Sequence, residues 1–127
     1  MASKGKKYKS KNIIDSFKHA IDGLKYAFKD TRNLWVDSIV ALVVVLMGFV
    51  FKVSLIEFSI LLLCISIVIS FELINTAVEE AVNLAMPNLH PIAKISKDVS
   101  AGAVLFSAII SSIIGLIIFI PKIIDLF

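Results

Sequence analysis

Residues 71–83 read Phe71-Glu72-Leu73-Ile74-Asn75-Thr76-Ala77-Val78-Glu79-Glu80-Ala81-Val82-Asn83. They continue an apolar run that begins at Phe58, yet they carry carboxylates and carboxamides. On a helix turning about 100° per residue, Glu72, Asn75, Thr76, Glu79 and Asn83 fall on one narrow stripe. Phe71, Leu73, Ile74, Ala81 and Val82 fall on the opposite side. A carboxylate facing lipid costs several kcal/mol, so the stripe is expected to face protein, water or a cation. Glu72 and Glu79 stand about 10 Å apart along the axis. That spacing lets one work at a reacting hydroxyl while the other holds a metal on a polyphosphate.

The rest of the chain explains how such a helix is housed. Of its 127 residues 58% are hydrophobic, which exceeds the share in an ordinary soluble domain. The excess is gathered in three blocks, which predicts an all-α integral membrane protein forming one unit. The first block, Leu34 to Phe51, is long enough to span and carries one acid, Asp37, near its start; Trp35 suits the headgroup boundary. Lys52-Val53-Ser54 is a very short turn, so the second helix, expected over 55–86, must run back beside the first. From Leu55 to Glu72 is about 26 Å of helix, against about 30 Å of hydrocarbon. Glu72 is therefore expected near the far boundary and Glu79 beyond it. Pro87-Asn88-Leu89-His90-Pro91 ends the helix in a stiff turn. The third block runs from Val99 to Ile120, and Pro121 is expected to stop or kink it. Ala101, Ala108, Ser112 and Gly115 share one of its faces and read as a helix-packing surface. The spans are thus expected at 33–52, 55–86 and 91–121.

Upstream, residues 1–12 form a polar basic tail without the apolar core of a signal peptide, and a disordered topology signal is expected there. Residues 13–30 have helical periodicity. Ile13, Ile14, Phe17, Ala20, Ile21, Leu24, Ala27 and Phe28 make one face, and Asp15, Lys18, Asp22, Lys25 and Lys29 take the rest. A basic amphipathic helix of this kind lies in the interface plane. With three spans, 11 of the 13 Lys and Arg residues fall on the side of the N-terminus and the 80–98 segment, leaving Lys52 and Lys122 on the other. The positive-inside rule makes the first side cytoplasmic, where ATP is. The lone Cys64 sits in an apolar run, which excludes an intrachain disulfide and a cysteine metal cluster. No glycine-rich phosphate loop is present, and no nucleic-acid partner is expected.

Two segments carry a resemblance. Glu72-Leu-Ile-Asn75-Thr-Ala-Val-Glu79, followed by His90-Pro-Ile-Ala-Lys-Ile-Ser-Lys97-Asp98, resembles the small prokaryotic integral-membrane diacylglycerol kinase family. Gly48 to Glu57 and Gly115 to Lys122 look like its Gram-positive branch, the undecaprenol kinases. The resemblance covers about residues 13–123. It implies a homotrimer of three-span subunits in the bacterial plasma membrane. Active sites would lie between subunits and move the γ-phosphoryl group of ATP to a lipid alcohol with Mg²⁺. Undecaprenol is the first substrate it implies and diacylglycerol the alternative. Carried over by motif, Glu72 is the general base, Glu79 a metal ligand, and Asn75 positions the reacting groups. Lys97 and Asp98 contact the nucleotide, Asn88 and His90 lie near the adenosine, and His19 is a further nucleotide contact. The family's Thr-Glu-Arg-Asn context carries a metal-binding Glu. Here Asp30-Thr31-Arg32-Asn33 stands in its place, so Thr31 occupies the position of the acid and Asp30 is the adjacent candidate ligand. Asn83 replaces an Asp. These departures motivate a further alternative, a catalytically weakened lipid-binding homologue.

Overall fold

A computed structural model describes residues 11–127. It consists of four helices: α1 (Ile13–Asp30), α2 (Arg32–Val50), α3 (Leu55–Ala85) and α4 (Pro91–Ile124). The basic tail, apart from Lys11 and Asn12, lies outside the described residues.

Each helix starts where local chemistry tells it to. Asn12 caps α1 by accepting from the Asp15 N–H at 2.9 Å. Ser54 and Glu57 close a reciprocal capping box at the start of α3. His90 caps α4, with Pro91 in the first helical position. Between α2 and α3 the chain reverses through a Schellman motif. Val53 N–H bonds the Gly48 carbonyl at 3.1 Å and Lys52 N–H bonds that of Phe49 at 3.3 Å. The motif needs a left-handed residue, and Lys52 supplies it with φ 51°. A side chain there is strained by about 1 kcal/mol. Lys52→Gly should therefore raise the thermal midpoint in detergent, and an unchanged or lower midpoint would contradict the assignment.

α3 is the centre. It packs along α4 most extensively and along α2 next, whereas α2 and α4 flank it without packing closely on each other. The tightest core lies at the reversing end, where Leu61, Ile118 and Phe119 are buried against Val44, Met47, Phe51 and Val53. Gly48 permits this approach, since a Cβ there would stand 3.1 Å from the Phe58 ring. Glu57 and Lys122 join α3 to α4 at the same end, 3.0 Å apart.

α4 passes Pro121 and ends at Ile124. Proline removes one N–H, and so close to the helix end only one backbone bond is lost. The next turn closes normally, with Asp125 N–H on the Pro121 carbonyl at 3.0 Å.

α2, α3 and α4 are each long and apolar enough to cross a bilayer. At most 17% of any span's most apolar window is buried within the chain, so their outer faces require lipid or further protein. α3, with 31 residues, is about 46 Å long, and α4, with 34, about 51 Å. Both exceed the hydrocarbon thickness, so one end of the α3–α4 pair projects beyond it. α1 meets the bundle near that end, touching α2 and α3. Its face carrying Ile13, Ile14 and Phe17 is exposed, and only Ala27 is buried. That is the condition of an interfacial helix rather than of one packed on its own protein.

Candidate active site

The polar stripe of α3 runs from a buried end to an open one. Glu72 is 2% exposed and Thr76 is 7% exposed, Asn75 is half-buried, and Glu79 and Asn83 face outward. Burial of a carboxylate demands polar company, and α2 supplies it. Asn33 and Asp37, four residues apart on one face of α2, are polar neighbours of the Glu72 carboxylate, as is Glu79 on its own helix. In the sequence Asp37 stands out only as an acid near the start of a span, and Asn33 not at all. Their four-residue spacing in an otherwise apolar block was the signal that could have found them.

Further along the stripe, Asn75 donates from Nδ2 to Oε1 of Glu79 at 3.2 Å. This holds one Glu79 oxygen and leaves the other outward. The Asn75 Oδ1 atom is buried and has no partner among the described residues. An orphaned buried acceptor of this kind is suited to a donor on an incoming molecule.

One turn beyond Glu79, Asn83 opens a second hollow at the α3–α4 turn. Asn88, His90, Lys94 and Lys97 line it with Asn83 and Met86. His90 accepts the Ile92 N–H at Nδ1, 3.1 Å away, so its other ring nitrogen is the one free for a ligand. Asp98 lies on the exposed side of α4 in an ion pair with Lys94. The turn thus gathers Asn88, His90 and Lys97, with Asp98 one step round the helix. His19 is not gathered with them: it stands exposed on α1, and α1 does not pack against α4.

At the end of α1 Asp30 acts on Tyr26, one turn back on the same helix, as does Glu80 of α3. The charge of Asp30 first, then that of Glu80, together with some desolvation and a hydrogen bond to Glu80, holds the Tyr26 phenol above its usual range. Tyr26 is therefore a neutral hydroxyl at physiological pH. Among the described residues no three metal-ligating side chains come together. Glu79, one turn before the Asn83 that lines the turn hollow, presents a carboxylate oxygen that Asn75 does not hold. That donor set fits Mg²⁺, which keeps waters and takes most of its ligands from phosphate.

On the apolar side, a cleft opens with α3 as floor and α2 and α4 as walls. Asp37 stands at one end, followed by Val40, Ala41, Val44, Val68 and Gly115. Phe51 and Phe119, edge to face at 6.0 Å, stand between α2 and α4 at the other end of the bundle. A buried acid with an acidic and amide neighbourhood therefore separates an apolar cleft from a polar hollow.

A family model described as prokaryotic diacylglycerol kinase matches residues 18–119. The chain belongs to the prokaryotic diacylglycerol kinase family. As a member of this family it is a lipid kinase. It is 41% identical to the undecaprenol kinase of Bacillus subtilis over 122 residues, covering 96% of this chain and 99% of that one. It is 34% identical to a diacylglycerol kinase of Synechocystis over 116 residues, 91% of this chain and 66% of that one. A diacylglycerol kinase of Helicobacter pylori is 28% identical over 99 residues, 78% of this chain and 77% of that one. The family match spans the C-terminal part of α1 and nearly all of the three apolar helices, and so contains the whole stripe.

Proposed function

We propose that this family member transfers the γ-phosphoryl group of ATP to undecaprenol, with Mg²⁺ as cofactor. The carrying observation is Glu72: a carboxylate 2% exposed, with an apolar cleft on one side and the Asn75–Glu79 stripe leading to the turn hollow on the other. The lipid hydroxyl enters at the Asp37 end of the cleft. Glu72 takes its proton as the oxygen attacks the γ-phosphorus, and ADP leaves. The Asn33 amide orients the Glu72 carboxylate. Mg²⁺, when bound, neutralises the charge of the phosphate oxygens. Glu79 is its protein ligand, held by Asn75, and Asp30 is a second candidate from the end of α1. Asn88, His90 and Lys97 hold the nucleotide in the turn hollow, and Asp98 joins them by leaving Lys94.

Two observations support an active site shared between copies in a homotrimer. His19 is separated from the turn residues within one chain, and the outer faces of the spans are uncovered. The distribution of Lys and Arg supports a cytoplasmic N-terminus, with the stripe's open end on the same side as ATP.

Undecaprenol is preferred to diacylglycerol for a physical reason beside the identity to the Bacillus subtilis enzyme. The cleft is lined mainly by aliphatic side chains, and of its two serines the Ser112 hydroxyl is already donated to the Ala108 carbonyl at 2.7 Å, which leaves the Ser111 hydroxyl as a donor. An isoprenoid chain needs no donors there, whereas of two ester carbonyls one would enter without a partner. The purified protein, given labelled ATP and equal amounts of undecaprenol and diacylglycerol in mixed micelles, should phosphorylate undecaprenol at least about tenfold faster, the discrimination available from one unpaired buried polar group. The reverse order would make diacylglycerol the substrate. Phosphorylation of neither would favour the weakened homologue.

A further inference from the structure

Thr31 forms the one-residue joint between α1 and α2, and its side chain breaks a local rule. Among the described residues the other three helix N-caps, Asn12, Ser54 and His90, each accept a backbone N–H of their own helix. Thr31 makes no such bond, although threonine at this position ordinarily does. Its Oγ1 lies instead 3.2 Å from Oγ1 of Thr76 on α3. Thr76 Oγ1 also lies 3.0 Å from the Glu72 backbone carbonyl. A carbonyl can only accept, so the single Thr76 proton goes to it, and Thr31 must be the donor in the other bond. The hydroxyl chain therefore runs one way, from Thr31 through Thr76 to Glu72. Thr76 and Glu72 are both buried, so water does not replace the link and each bond polarises the next. The joint is braced on its other side as well. Trp35 Nε1–H donates to the Phe28 carbonyl at 2.7 Å, and the two rings meet edge to face at 5.6 Å.

We propose that Thr31 is a positioning residue, latching the α1–α2 joint onto the turn of α3 that carries Glu72 and so holding Glu72 in register with Asn33 and Asp37. The inference rests on the reading of Glu72 as the base. It gives position 31 in this chain a different task from metal ligation. A carboxylate there has no proton to donate. It could only accept the Thr76 proton, so T31E would reverse the direction of the link and withdraw that proton from the Glu72 carbonyl.

Trp35 is the chain's single tryptophan and sits four residues from Thr31, so its fluorescence reports the joint independently of phosphoryl transfer. Thr31→Val keeps the shape and loses the donor; Thr31→Ala loses the same donor without the added methyl. In the full chain in detergent, both should red-shift Trp35 emission and increase its access to a neutral quencher, and Thr31→Ser should match the wild type. Thr76→Val should act as Thr31→Val does, and the double variant should be no worse than the poorer single one. In the kinase assay, Thr31→Val should lower kcat about fivefold, the worth of one hydrogen bond, with the nucleotide KM and the Mg²⁺ requirement unchanged and with recovery in Thr31→Ser. Wild-type emission in Thr31→Val and Thr31→Ala overturns the latch. So does a raised Mg²⁺ requirement, or losses at Thr31 and Thr76 that simply multiply. A wild-type chain inactive on every lipid alcohol would count against the proposed reaction, and the emission series would still decide the latch.

Discussion

Glu72→Gln is expected to lower lipid phosphorylation by at least about a hundredfold, the lower range for loss of a general base, and to leave the bundle intact. The two halves of that expectation have separate grounds. Glutamine keeps the volume and hydrogen-bonding reach of the side chain that Asn33 and Asp37 surround, so no cavity opens at a site 2% exposed. It also removes one of two acids that face each other across α2 and α3, which relieves repulsion rather than leaving a charge unpaired. The thermal midpoint in detergent should match or exceed that of the wild type. The lost turnover is then chemical. Glu72→Asp shortens the side chain by one methylene in a packed setting and should fall between the two, since small misplacements at a reacting centre are expensive in rate. Initial rates over a range of undecaprenol concentrations test this. A Glu72→Gln variant retaining a tenth or more of wild-type kcat would remove Glu72 from the role of base.

Glu79→Gln should act differently, and the difference identifies its partner. Glu79 is exposed, so its loss should not alter folding, and Asn75 holds one of its oxygens and leaves the other unbonded among the described residues. The Mg²⁺ concentration for half-maximal rate should rise at least about tenfold and kcat should fall, with the KM for undecaprenol unchanged. Asn75→Ala releases the second Glu79 oxygen without removing the carboxylate. It should raise the Mg²⁺ requirement by less, at the low end of the tenfold to hundredfold range usual for residues that orient a ligand. Titration of rate against Mg²⁺ at fixed ATP separates the cases. If Glu79→Gln shifted only the lipid KM, the metal assignment would be lost and Glu79 would belong to the lipid side of the site.

Much of this architecture was legible because it depends on local chemistry. The three apolar blocks announced the spans by length and composition, and the Lys52–Ser54 turn and the Pro87–Pro91 segment marked the reversals on either side of α3. The stripe from Glu72 to Asn83 was legible because helical rotation is set by the backbone and needs no partner. Pro121 marked the end of the last helix without fixing its final residue: a proline removes one N–H, and α4 runs three residues past it to Ile124. The half-buried state of Leu73 and Val82, expected opposite the stripe, reflects how α3 is enclosed by its neighbours, which rotation alone does not give.

By itself the order of residues determined an all-helical chain with three helices able to cross a bilayer, an interfacial first helix, and a graded line of acids and amides leaving the apolar zone. These follow from the rise and turn of a helix and the cost of placing charge in hydrocarbon. Only the tertiary structure decided which groups meet: Asn33 and Asp37 at Glu72, Thr31 at Thr76, Glu80 of α3 at Tyr26 of α1, and His19 away from the turn. Such pairings are set by the rotation and offset of one helix against another. Those depend on the packing of many small contacts along α3, and no local pattern encodes them.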